Sequence, residues 1–494
     1  MRLIQFQFIL IFISLKKNCF GNEEIVTLAN DENLKYRLHY HIMASSGWMN
    51  DPNGFSFFNG DYHIFYQHNP YEVTPGNVHW GHVKSKDLVH WKYLPNALTP
   101  GEPYDRNGCF SGTAIVDGNN LILFYTGNVD ENNSTNYSSQ NQNMALSGDG
   151  VKFEKFSRNP IIPFPPEDGG SAFRDPKVWK HEDNWYLLMG NQAKENGRVV
   201  LYESKDLKNW NYIGVLASSW NGSLGYMWEC PDFFKLNESY VLIFSPQGLE
   251  RDGDKYANLY QTGYVVGGYC YEYNHFSYGH FTEMDFGHDF YAMQTMETPD
   301  KRRVGVAWMG MWESNFPESE EGWAGALTIP RELYLEEGKL IQKPIRETKL
   351  LRKSLLFSKL ITVNGMEEIC ELKAAEIDID TKLCADIDEF GFVLDDQEGL
   401  VVKFYLNETD KTFNLDRGDE DPRKTGFEEL LYLKMQIFLD ASSLEVFLND
   451  GEITFTSRIY PNQSPLLSIF SRGSCALDVD VKIFELENIW EKCN

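Results

Sequence analysis

Five short runs of aromatic and aliphatic residues punctuate the first two thirds of the chain: Tyr62–Tyr66, Leu121–Tyr125, Trp185–Met189, Tyr240–Phe244 and Val304–Trp308. Turns rich in Asn, Gly and Asp flank them. An apolar run of five residues suits a strand inside a sheet, covered on both faces. The starts of the runs are separated by 59, 64, 55 and 64 residues. A second pattern also recurs: SKDLVHW at Ser85–Trp91 and SKDLKNW at Ser204–Trp210 lie 119 residues apart, about two periods. Lys-Asp-Leu followed by Trp suits a tight turn entering an outer strand. Helical periodicity is nearly absent before residue 345. Five copies of a β unit of about 60 residues predict a five-bladed β-propeller, each blade a four-stranded sheet around a central channel. A sandwich with accidental spacing is the alternative.

The pattern changes after the fifth unit. Pro344–Ser354 is the best helix candidate in the chain. Strand-like runs then alternate with turns at Leu355–Val363, Gly391–Leu394, Leu400–Leu406, Leu433–Leu439 and Leu444–Leu448. With no helix between them, they suit a C-terminal β-sandwich. The expected organisation is all-β: a propeller over 36–345, a linker over 346–354 and a sandwich over 355–494.

Residues 1–21 are expected to be a secretory signal peptide. Arg2 gives a positive start, Phe8–Leu15 is apolar but for Ser14, and Cys19 and Gly21 suit the −3 and −1 positions of a cut. That run is too short to span a bilayer, and no later stretch of about 20 apolar residues follows. Asn132, Asn133, Asn136, Asn221, Asn237 and Asn407 each begin an N-x-[ST] triplet. Asn462 does too, with Pro465 close behind. The expected location is therefore secreted, extracellular, and the expected product a glycoprotein.

Composition narrows the partners. A net charge of −27 repels phosphate backbones and anionic membranes, so neither nucleic acid nor a membrane is expected as a partner. A neutral small molecule is compatible with that field. Of the eight cysteines, Cys19 leaves with the signal, and the odd number remaining implies at least one unpaired or intermolecular thiol. None has C-x-x-C spacing, so zinc is not expected; no other metal and no cofactor is expected either. Cys370 and Cys384 are a candidate pair.

Acidic residues fall at one phase of the repeat. Asp51 lies 11 residues before Tyr62, Asp175 lies 10 before Trp185, and Glu229 lies 11 before Tyr240. Ser111 lies 10 before Leu121, and Asp289, the loosest match, lies 15 before Val304. In a propeller the first strand of each blade lines the axis, so one phase means one radial position. Three carboxylates meeting in a poorly solvated pocket cannot all ionise easily. That arrangement can set an ionised nucleophile beside a protonated acid, as glycoside hydrolysis requires. A Ca²⁺ site is the alternative use of three carboxylates; the adjacent Arg174 speaks against it.

The local motifs carry a resemblance. WMNDPNG at Trp48–Gly54, FRDPK at Phe173–Lys177 and WECPDF at Trp228–Phe233 resemble the signature motifs of glycoside hydrolase family 32, the β-fructofuranosidases. FYQHNP at Phe65–Pro70, HWGHVKSKDLVHW at His79–Trp91 and CFSGTA at Cys109–Ala114 add to it. So do DFYAMQT at Asp289–Thr295, EGWAG at Glu321–Gly325, TIPREL at Thr328–Leu333 and SSLEVFLNDG at Ser442–Gly451. The resemblance implies an invertase-type hydrolase acting on sucrose, with raffinose or short fructans as further substrates. It implies that Asp51 is the nucleophile, Glu229 the acid/base, and Asp175 a stabiliser of the transition state that also holds fructose hydroxyls. Arg174 would orient the acid/base region and help keep Asp175 ionised.

Substrate contacts follow from the same resemblance: Trp48, Met49, Asn50, Gln67, Phe110 and Ser111 around the fructose ring, with Trp80, Tyr291 and Trp323 as pocket walls. For each lone aromatic, core packing is the competing role. Asp289 would bind sugar or brace the fifth blade, and Asp232 would face away behind Glu229. Pro75 stands where many members carry a Trp before the Gly-Asn that is Gly76–Asn77 here. In this the stretch is more similar to bacterial sucrose and sucrose-6-phosphate hydrolases, which use the Trp of the HWGH motif. Rival readings are a fructan hydrolase or fructosyltransferase on the same site, and a sugar-binding protein built on a dead enzyme.

Overall fold

The computed structural model describes residues 34–130, 138–219 and 221–490. The signal-like segment 1–21 and the triplets beginning at Asn132, Asn133 and Asn136 lie outside these residues. So does Cys493.

The N-terminal part is a propeller of antiparallel sheets. Each is a meander: Gly47–Phe58, Asp61–Asn69, His79–Ser85 and Trp91–Leu98 form the first in that order. Cys109–Asp117, Phe173–His181, Met227–Leu236 and Tyr291–Glu297 begin the sheets that follow. These first strands touch one another in sequence, and the last touches the first, so they enclose an axis. The ring is sealed by Trp323–Ala324, which pairs in parallel with Gly47 and Trp48.

The five apolar runs all fall in the second strand of a sheet, from Asp61–Asn69 to Arg303–Met309. Their position explains their composition. A strand flanked within its sheet, with neighbouring sheets against both faces, has no solvent side to alternate with. Ile64, Phe65, Leu123, Phe124, Leu187, Leu188, Leu242 and Ile243 are accordingly buried.

The SKDL turns are one device used repeatedly between the third and fourth strands. Asp87 Oδ1 accepts the amides of Val89 and His90, and Asp206 Oδ1 accepts those of Lys208 and Asn209. Leu88 and Leu207 take φ of 70° and 65° there and are buried. The second sheet makes the same turn with a different sequence: Asp149 Oδ1 accepts the amides of Val151 and Lys152.

Where the apolar pattern predicts a helix over Pro344–Ser354, the structure has a six-residue 3-10 turn, Arg346–Leu351. Arg352 already opens the strand Arg352–Val363. Arg302 explains the short turn: it ion-pairs with Glu347 at 2.7 Å and ties the turn to the fifth sheet.

The C-terminal part is a sandwich of two six-stranded antiparallel sheets. Ile377, Ile379, Phe392, Phe404, Leu444, Val446, Leu467 and Val481 belong to the core they enclose. The disulfide joins Cys384 to Cys475, not to Cys370, which is a free thiol. The expected pairing fails on topology: Cys370 lies on Gly365–Glu371, an outer strand of its sheet, whereas Cys384 and Cys475 sit in loops that meet.

Buried charges weld the two parts. Arg331 of the propeller pairs with Asp285 at 3.0 Å and with Glu445 of the sandwich at 2.6 Å. His41 lies between Asp440 at 2.8 Å and Glu445 at 3.0 Å. Asp289 is fully buried and braces the junction: its Oδ2 accepts from Arg417 and from the Arg458 amide.

Candidate active site

The first strand of every propeller sheet is interrupted at the same level. Its register with the second strand slips at Met49/Pro52, at Phe110/Gly112, opposite Leu188/Gly190, at Glu229/Asp232 and at Tyr291/Gln294. Each slip is a bulge, and a bulge re-aims the side chains it contains. Three bulges hold a non-glycine residue in the left-handed region: Asp175 at φ 65°, Cys230 at 49° and Ala292 at 56°. Such backbone costs free energy and persists where the surroundings fix it. Gly190 is part of that fixing: a Cβ there would sit 1.9 Å from the carbonyl oxygen of Trp228 and push away the strand carrying Glu229.

The bulges bring three carboxylates around one thiol. Cys230 Sγ lies 3.4 Å from Asp51 Oδ2 and 3.7 Å from Asp175 Oδ2, and the Cys230 amide donates to Asp175 Oδ2 at 3.0 Å. Glu229 is the residue before it. Asp51, Asp175 and Glu229 come from three different sheets, as the phase of the repeat predicts.

Each carboxylate is held differently. Ser111 Oγ donates to Asp51 Oδ2 at 2.7 Å, and Asn50 Nδ2 donates to Oδ1 at 3.1 Å. Behind these, Gln67 Nε2 donates to Ser111 Oγ at 2.5 Å and Trp48 Nε1 to Asn50 Oδ1 at 2.8 Å. Arg174 grips Glu229 Oε1 through Nε at 2.9 Å and Nη2 at 2.8 Å. Gln247 and Tyr291 donate to Glu229 Oε2 at 2.9 and 2.5 Å. Thr126 Oγ1 accepts the Asp175 amide. Asp232, past the bulge, is turned away and pairs with Lys177 at 2.9 Å.

The groups lie at different depths. Asp51 and Asp175 are recessed, at 7% and 5% exposure, while Glu229 and Arg174 are half-buried at the rim. Burial raises the Asp51 carboxyl above its ordinary value, with the charge of Glu229 adding and the Ser111 and Asn50 hydrogen bonds opposing. Asp175 is pushed up to about 7, first by burial, then by Glu229 and Asp51, against the pull of Arg174. Burial pulls Arg174 down, but Glu229 and Asp175 outweigh it and raise it. Tyr291 is held well above its usual range, by burial first and then by Glu229, so it remains a donor.

The remaining sequence-derived residues divide. Trp48 is buried against Trp308 and Phe316 and acts through Asn50. Phe110 is half-buried near the opening. Trp80 is fully buried beside Phe65 and Tyr125, with its Nε1 on the Phe110 carbonyl. Met49 and Trp323 are fully buried in the cluster between propeller and sandwich, where Arg37 and Arg458 lie over the Trp323 ring. Sequence reasoning missed Cys230, Gln247 and Gln140. Cys230 stands inside WECPDF, but a lone Cys carries no spacing signal. Gln140 Oε1 accepts the Phe173 amide at 2.8 Å and Arg174 Nη1 at 3.4 Å from a strand with no marked motif.

A buried carboxylate beside a partly exposed one that is held by donors is the equipment of a glycoside hydrolase. Comparison with known proteins gives the same class. Residues 41–344 match the glycosyl hydrolases family 32 N-terminal domain, and residues 344–491 match the family 32 C-terminal domain. The chain belongs to glycoside hydrolase family 32. It is 39% identical over 463 residues to a raffinose invertase of Escherichia coli, covering 90% of this chain and 94% of that one. It is 40% identical over 450 residues to a sucrose-6-phosphate hydrolase of the same species, covering 89% and 92%. Among solved structures it is similar to a Bombyx mori family 32 β-fructofuranosidase, with TM-score 0.84, 38% identity, and 92% and 95% covered. A mutant of that enzyme is solved in complex with sucrose.

Proposed function

We propose that this chain is a secreted retaining β-fructofuranosidase that hydrolyses sucrose to glucose and fructose. The observation that carries the reading is the contrast between Asp51, recessed and held by Ser111 and Asn50, and Glu229, held at the rim by Arg174, Gln247 and Tyr291. A terminal fructosyl unit fits the recess, and the glucose leaves from the rim. Asp51 attacks the anomeric carbon while Glu229 protonates the departing glucosyl oxygen. Glu229 then takes a proton from water, which attacks the fructosyl–Asp51 ester and restores the original configuration. Asp175, recessed beside Asp51, opposes the positive charge that builds on the ring, an interaction stronger in the transition state than in the ground state.

The proton inventory suits mildly acidic pH. Burial raises both recessed carboxyls, Asp175 to about 7, so the recess takes up a proton as the pH falls below neutral. Cys384–Cys475 supports export, because disulfides persist in oxidising compartments. The exposed Asn221 and Asn237 are accessible to glycosylation. Export favours free sucrose over a phosphorylated substrate, although some relatives are named sucrose-6-phosphate hydrolases.

Product analysis on sucrose, raffinose, inulin and sucrose 6-phosphate tests the reading. Equimolar glucose and fructose from sucrose, with little action on long inulin, is the expected result. A preference for inulin identifies a fructan hydrolase, and trisaccharide build-up at high sucrose a fructosyltransferase. No hydrolysis of any of them, from folded protein, leaves a sugar-binding protein.

A further inference from the structure

The axis of the propeller has a second mouth. The first strands run away from the carboxylates, and Phe57 lies six residues beyond Asp51, about 20 Å at the usual rise of an extended chain. The ends of all five first strands line a cavity of about 700 Å³ there. Its charge is opposite to that of the molecule. The chain carries −27, yet the lining holds Lys177, Lys180, Lys235, Lys301 and Arg303 against one carboxylate, Glu297.

Most of these cations are neutralised. Lys177 pairs with Asp232 at 2.9 Å, Lys235 with Glu238 at 3.3 Å and Lys301 with Glu297 at 2.7 Å. Two are not. Among the described residues, neither Arg303 nor Lys180 has a carboxylate within ion-pair distance. The Arg303 guanidinium lies 4.6 Å from the centre of the Phe234 ring, and Lys180 Nζ lies 5.0 Å from that of Trp185. Burial pulls the Arg303 guanidinium down, against the more distant charges of Asp232 and Glu297, neither of which is in ion-pair contact with it.

An unpaired guanidinium costs free energy that a bound anion recovers, and its planar fork matches two oxygens on one centre. We propose that this second mouth binds a small multivalent oxyanion of the phosphate class, with Arg303 and Lys180 as its charge partners. The hydrolysis of a neutral sugar at the other mouth makes no use of it.

Calorimetric titration of the full chain at constant ionic strength tests this, with inorganic phosphate in one arm and glucose 6-phosphate in the other. Saturable binding is expected in at least one arm, and a tighter ester arm assigns the site to phosphorylated metabolites rather than free phosphate. Arg303→Gln and Lys180→Gln should each weaken it by about tenfold or more, the loss of one charge-assisted contact. Asp51→Asn should leave it unchanged, and sucrose turnover in the two cation variants should match wild type. No saturable binding in either arm overturns the proposal. So does binding that survives both substitutions, or that disappears in Asp51→Asn. Lys180 is exposed, so Lys180→Gln decides the matter even if Arg303→Gln does not fold.

Discussion

Tyr291 donates a 2.5 Å hydrogen bond to Oε2 of Glu229 from the first strand of the neighbouring sheet. The two residues are 62 positions apart, and both stand at a bulge. Tyr291 is fully buried, and its proton is firmly held. It therefore fixes which way the Glu229 carboxyl faces. In Tyr291→Phe that donor is lost while Arg174 and Gln247 remain. A hydrogen bond to a charged group contributes about 1.5–3 kcal/mol, so kcat should fall by about ten- to a hundredfold. KM for sucrose should change little, because the phenol touches Glu229 at the rim and not the recess. Steady-state kinetics separate the two, and a change confined to KM would contradict the assignment.

Asp175 gives a trade between activity and stability. Its carboxyl is raised to about 7, mainly by burial, from an unperturbed value of 3.8. A group whose pKa is raised on folding adds stability that is complete below the unfolded pKa and lost as pH rises through the folded one. The window here is about pH 4 to 7. Asp175→Asn removes the charge but keeps an acceptor for the Cys230 amide. The variant should melt above wild type at pH 7, and the gap should close towards pH 4. Its activity should fall by orders of magnitude. Scanning calorimetry across that range checks the sign, and a variant less stable than wild type at pH 7 would refute it.

What could be read from the chain follows from which features repeat. The apolar runs mark second strands because double-sided burial leaves no alternation. Their period places Asp51, Asp175 and Glu229 on first strands without any contact being known. Asp289 breaks the rule for a visible reason. Its offset of 15, against 10 or 11 elsewhere, puts it before the strand Tyr291–Glu297, where it turns to Arg417 and Arg458 of the sandwich. Met49, Trp80 and Trp323 lie in motifs dense with site residues, yet strand alternation sends them into cores. Sequence cannot separate the two faces where a bulge resets the alternation. Gln140 and Gln247 were illegible because their role is set only by the partner, Arg174 or Glu229, that folding delivers.

The disulfide links loops of the sandwich that are 91 residues apart. Cross-links of that kind typically contribute about 2–4 kcal/mol. The sandwich has a large core, so Cys384→Ser with Cys475→Ser should still fold. Its thermal transition should drop by several degrees, and a reducing agent should lower the wild type to the same point while leaving the double variant unmoved. A wild-type transition indifferent to reductant would show that the bridge does not form in solution.

His41 makes the junction between propeller and sandwich sensitive to pH. Burial lowers its pKa, but its hydrogen bonds to the Asp440 and Glu445 carboxylates outweigh that and leave it raised above 6.5. Both carboxyls are lowered in turn, against burial, by His41 and its neighbours, with Arg331 opposite Glu445. Stability from His41 is therefore full below about pH 6.5 and lost as pH rises through its folded value. Below the unfolded range of the carboxyls the partners protonate and the network fails from the other side. The junction is thus strongest on the acid side of neutral. His41→Gln keeps one donor but removes the group that can carry positive charge between the two carboxylates. It should lower the melting temperature most at pH 5–6 and least at pH 9. Equal destabilisation at both values would mean that the imidazole is neutral in the folded protein and that the junction carries no such dependence.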